Sequence, residues 1–71
     1  MKEFELGEQE FIPLNTLLKL LNFVQSGGEA NHLIDEGIVK VNEVIEKQKR
    51  KKLRVGDKVT FQNHVVLITK S

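Results

Sequence analysis

Phe4 and Leu6 alternate with Glu3 and Glu5, which predicts a short strand at the start of the chain. A polar connection, Gly7 to Glu10, follows. Pro13 suits the first turn of a helix, where a missing N–H costs nothing. Leu14, Leu17, Leu18 and Leu21 then recur at i, i+3, i+4 and i+7, one apolar helical stripe that ends near Asn22. Phe23 and Val24 are expected to pack in the connection. Ser26-Gly27-Gly28-Glu29 has the capping-box spacing, the Ser26 hydroxyl accepting from the Glu29 N–H and the Glu29 carboxylate reaching back. Ala30, Leu33 and Ile34 supply the apolar face of this second helix, and Gly37 stands where a left-handed C-cap is wanted. A helix of about two to three turns is not stable alone, so its stripe must pack on other elements.

After Gly37 the period changes to two. Val39 and Val41 alternate with Lys40, Asn42-Glu43 reads as a two-residue turn, and Val44-Ile45 as the returning strand. Glutamate at the second turn position disfavours the type I′ geometry. The run from Lys47 to Lys52 has no apolar member, and Leu53 and Val55 resume the core pattern. Val55-Gly56-Asp57 reads as a turn, Val59 and Phe61 as strand, Asn63-His64 as a tight turn, and Val65 to Ile68 as the last strand. The expected fold class is α+β: two short helices packed against a small, mostly antiparallel sheet of four to five strands, in one domain over residues 1–71.

Length and composition narrow the function. A chain of 71 residues has little material for a walled catalytic cleft. It contains no Cys, which removes disulfides and thiolate metal sites. His32 and His64 fall in different elements with no carboxylate cluster to complete a ligand set, no Ser/His/Asp grouping has catalytic spacing, and no phosphate-binding loop signature is present. No enzyme activity, metal or cofactor is expected. No apolar run approaches the ~20 residues that cross a bilayer. The N-terminus lacks a signal-peptide core, so a cytoplasmic location with no membrane contact is expected.

Charge changes the picture most. The net charge is +1, but residues 1–36 carry two cations against seven acids, a balance of −5, and residues 37–71 carry nine cations against three acids, a balance of +6. Lys47, Lys49, Arg50, Lys51, Lys52 and Arg54 form a basic stretch suited to phosphates. The N-terminus of the second helix, with Gly27 and Gly28 bare of Cβ atoms, offers amide groups to the same kind of ligand. Phe4, Phe11, Phe23 and Phe61 read as core positions outside the basic run. Base stacking is therefore not expected, and recognition through shape, backbone and 2′-OH is.

The run Ser26-Gly27-Gly28-Glu29-Ala30-Asn31-His32-Leu33-Ile34-Asp35-Glu36-Gly37-Ile38-Val39-Lys40-Val41-Asn42, together with Glu46 to Leu53 and Val55-Gly56-Asp57-Lys58-Val59, resembles the ribosomal protein S-four-type RNA-binding domain, the αL motif. The likeness covers about residues 12–68 and is closest to small, single-domain bacterial members of the YbcJ/YaaA type. It implies a non-catalytic, translation-associated monomer that binds structured or double-stranded RNA of the ribosomal or transfer RNA class, with the ribosome as a further candidate partner. It also implies roles: Ser26, Gly27 and Gly28 at the helix start, Asn31 and His32 on the exposed helix face, Lys40 and Asn42 flanking the hairpin, and the six basic residues on phosphates. Many relatives carry Arg where this chain has Gly27, Lys or Arg where it has Asn31, and Arg-Leu-Asp where it has Pro13-Leu14-Asn15. Affinity should therefore lean on Lys47 to Arg54. The alternative is an adaptor that docks its basic face on an acidic protein or a ribosomal partner.

Overall fold

The computed structural model describes residues 2–70. In chain order the elements are β1 (Lys2–Glu5), β2 (Ile12–Pro13), α1 (Leu14–Leu20), α2 (Gly27–Asp35), β3 (Val39–Val41), β4 (Val44–Ile45), β5 (Lys52–Leu53), β6 (Lys58–Phe61) and β7 (His64–Thr69). Five strands form one sheet in the order β1-β7-β6-β3-β4, and β2 and β5 form a separate antiparallel pair. All pairings in the large sheet are antiparallel except β1 with β7, which places Lys2 beside Val66 and Glu5 beside Thr69.

One core joins the layers. Leu14, Leu17 and Leu18 of α1, Ala30 and Ile34 of α2, Leu53 of β5, and Val39, Val59, Val66 and Ile68 of the sheet are all buried. This is the apolar stripe and the period-two pattern meeting as expected. Val55 departs from it: at 54% exposed it lies outside the core, because it falls in the Arg54–Asp57 turn rather than on a strand.

Both helices end in the same way. The Asn22 N–H donates to the Lys19 carbonyl and the Phe23 N–H to the Leu18 carbonyl, with Asn22 at φ 63°. In α2 the Gly37 N–H donates to Ile34 and the Ile38 N–H to Leu33, with Gly37 at φ 78°. These are paired Schellman caps. The start of α2 follows the capping-box expectation with one shift. Ser26 Oγ accepts from the Glu29 N–H at 3.1 Å, but the Glu29 carboxylate reaches past Ser26 to the Gln25 N–H at 2.9 Å.

Two turns differ from the sequence reading. Pairing of Phe61 with His64 moves the last turn to Gln62-Asn63, and Gln62 takes φ 55°. The Asn42-Glu43 turn has both residues at positive φ, 53° and 71°, the type I′ form that glutamate disfavours. Side-chain bonds hold it there. Asn42 Oδ1 accepts from the Lys58 N–H at 2.9 Å, and Asn42 Nδ2 donates to Asp57 Oδ1 at 3.0 Å. Lys58 Nζ meets Glu43 Oε2, also at 2.9 Å.

Asp57 ties these parts together. Its second carboxylate oxygen accepts from the Arg54 N–H at 2.9 Å, and its main-chain carbonyl accepts from the Ile68 N–H. Asp57→Ala should therefore lower unfolding free energy by about 1–3 kcal/mol in urea titration, through loss of both side-chain bonds. A stability equal to that of the parent would show that the turn holds without them.

Candidate nucleic-acid interface

The site begins with a helix that has no side-chain cap. Pro13 lies one position before α1 rather than in its first turn, at φ −65° and ψ 143°, and it has no side-chain acceptor to offer. The free amides at the start of α1 are taken by the basic loop instead. The Leu14 N–H donates to the Lys51 carbonyl at 2.9 Å and the Asn15 N–H to the Lys49 carbonyl at 3.0 Å. Loop carbonyls thus serve as the cap that a serine or aspartate would otherwise supply. The loop is fixed at its other end too, where Glu46 Oε2 accepts from the Gln48 N–H at 3.1 Å. Lys47, Lys49 and Arg50 are exposed and Lys51 is half-buried.

Asn15 carries the connection onward. Its Nδ2 donates to Asn31 Oδ1 of α2 at 3.1 Å. One residue therefore holds Lys49 through its main chain and Asn31 through its side chain. An open groove between α1 and the first residues of α2 continues from there, lined by Asn15, Thr16, Lys19, Leu20, Asn22 and Gly27. At the far end of α2 the Lys47 side chain passes over Gly37, where a Cβ would come within 3.6 Å of its Cε. The loop thus lies by the C-terminal cap of α2 through Lys47 and is linked to Asn31 through Asn15.

The other expected site residues are distributed unevenly. Gly27 lines the groove, and a Cβ there would meet nothing within 4 Å. Ser26 is engaged as the helix cap. Gly28 is exposed beside it. His32 is exposed, and helical spacing puts it beside Asp35 and Glu36, an acidic neighbourhood for a polyanion. Lys40 alternates with buried Val39 and Val41, so it points from the sheet face away from the core, near Glu43. Asn42 is committed to Asp57 and Lys58. Lys52 of β5 and Arg54, which follows that strand, lie beside Phe11. The structure brings together the loop, Asn31 and Gly27, and it leaves Lys40 and Asn42 apart from them.

Electrostatics favour the loop. Among the described residues the one ion pair is Lys58–Glu43. The hydrogen bond from Lys58, then its charge, with Lys40 adding, holds the Glu43 carboxyl below the ordinary carboxylate range. The pair removes Lys58 from the free positive charge, and the Lys47–Arg54 cations have no carboxylate partner among the described residues.

Sequence reasoning missed Asn15, Thr16 and Lys19. The signal was available at Asn15, which belongs to the Pro13-Leu14-Asn15 stretch that departs from the resemblance. It also misplaced Phe11, which is half-buried and outside the core, whereas Phe61 is in the core and Phe4 and Phe23 pack against it.

Comparison with known proteins agrees with this architecture. The S4 domain family model matches residues 4–69, so the chain belongs to the S4 domain family. It is 40% identical over 68 residues to the "Putative RNA-binding protein YbcJ" of Escherichia coli (strain K12), covering 96% of this chain and 97% of that one. It is 38% identical over 55 residues to the "Probable ribosome maturation protein RlbA" of Bacillus subtilis (strain 168), covering 78% of each. The solution structure of E. coli YbcJ, described as revealing an αL motif involved in RNA binding, superposes with a TM-score of 0.73 at 39% identity, covering 97% of this chain and 87% of that one. The resemblance read from Ser26 to Asn42 and the α+β architecture both hold.

Gly37→Ala should cost about 1–2 kcal/mol, since a Cβ is strained at a left-handed φ of 78°. Gly27→Ala, in open space at an ordinary helical φ, should leave the melting temperature unchanged or higher. Equal melting temperatures for the two variants would remove the argument that the α2 cap needs glycine for its left-handed conformation.

Proposed function

We propose that this domain binds structured RNA through phosphate contacts and catalyses no reaction. The observation that carries the reading is the basic loop whose carbonyls cap α1, which holds its backbone beside Asn31 and the Gly27 groove while its cations have no carboxylate partner among the described residues. Membership of the S4 domain family and the names of the relatives support it. Ribosomal and transfer RNAs are the natural candidates, given the relative named for ribosome maturation. The described residues hold no group of three or more potential metal ligands, and no helix is long and apolar enough to cross a membrane.

Phosphates would lie along the Lys47–Lys51 loop, with the α2 end of the groove positioning the backbone. Three to five phosphate contacts would make log K fall with log salt at a slope of roughly −2 to −4.5. Fluorescence anisotropy with a labelled hairpin RNA at several salt concentrations reads this directly. Lys49→Glu with Arg50→Glu, both exposed, should weaken binding at least tenfold and flatten the slope by about 1.5. Gly27→Arg, entering open space, should tighten it. An affinity untouched by the double reversal would overturn the placement.

The edge strand β4 presents Val44 and Ile45 at 68% and 52% exposed, which favours protein docking as a second reading. RNase treatment of a lysate separates the two. Release of the domain from its complexes supports RNA, and retention supports a protein partner.

A further inference from the structure

Phe11 has no role in the fold's interior. The next residue, Ile12 of β2, is buried at 3% exposure, while Phe11, just before that strand, stays outside the core cluster. The β2–β5 register pairs Ile12 with Leu53, which sets Phe11 across from Arg54. Lys52 Nζ lies 5.1 Å from the centre of the Phe11 ring and the Arg54 guanidinium carbon 5.8 Å from it. Lys52 of β5 and Arg54, which follows the strand, flank buried Leu53, and both reach the Phe11 ring. The result is a partly exposed aromatic ring bracketed by two cations that continue directly from the basic loop.

We propose that Phe11, flanked by Lys52 and Arg54, is a stacking platform for one unpaired base of the bound RNA. This rests on the RNA reading above and extends it from backbone contact to the choice of RNA: a helix carrying a bulged or looped-out nucleotide is preferred over a continuous duplex. The chemistry is that of single-strand binders, an aromatic face for the base and cations for the adjoining phosphates. A cation over a partly exposed ring is held weakly, so an incoming base displaces it from the ring toward phosphate. The purely structural role, a ring shielded by two long side chains, predicts no dependence on RNA form.

Two hairpin RNAs of equal stem length separate these roles, one with a single bulged adenosine and one without, each titrated against the parent, Phe11→Leu and Phe11→Trp. The parent should bind the bulged RNA roughly tenfold more tightly than the continuous one. Phe11→Leu, which keeps an apolar side chain, should abolish that preference and leave the affinity for the continuous stem unchanged. Phe11→Trp should keep it. In NMR spectra the parent's Phe11 ring protons should shift on addition of the bulged RNA alone. Equal binding of both RNAs by the parent, or a preference that survives in Phe11→Leu, overturns this inference and leaves the phosphate reading intact. Binding of neither RNA overturns both.

Discussion

The structure depends on how the first helix is capped. An α-helix begins with amides that have no partner within it, and α1 begins after a proline that has no acceptor in its side chain. The carbonyls of Lys49 and Lys51 fill that need. A stretch that would otherwise be a solvated charged loop is thereby held by its main chain. Its side chains are free to point outward because its backbone is occupied. The repulsion among neighbouring cations is offset by hydrogen bonds that no side chain in the run has to make.

Assembly of the candidate surface follows from this. Asn15 sits at the junction, receiving the loop through its amide and reaching α2 through its side chain. Asp57 plays the corresponding part on the sheet side, joining the β3–β4 turn to the β5–β6 turn. Neither residue is a charged contact of the kind that a search for basic groups detects. Both determine where the basic groups stand.

Much of this was legible in the sequence, and the reasons for what was not are physical. The leucine stripe, the Ser26 cap, Gly37 and the Val39/Val41 alternation are local patterns, and each appears where the spacing puts it. The cation run was legible as composition. Its attachment to α1 was not, because a carbonyl cap leaves no trace in side-chain identity. The type I′ turn at Asn42-Glu43 was misjudged because its support comes from Asp57 and Lys58, 15 residues away in both polar pairs to their side chains. Phe11 looked like core because hydrophobicity does not report that a ring placed just before a two-residue strand lies outside the core. Val55 failed for the same reason, an apolar residue placed in a turn.

The parallel pairing of β1 with β7 bears on how the molecule is made. Lys2–Glu5 must wait for Val66–Thr69 before it has a neighbour, so every residue between them must emerge before the sheet can close. Val66 and Ile68 also supply buried side chains to the centre, which a shorter nascent segment lacks. Topology of this kind slows folding, since the largest loop is closed before its contacts reward it. The sheet is therefore completed only once Thr69 has emerged, and its opening strand lacks a neighbour for that interval.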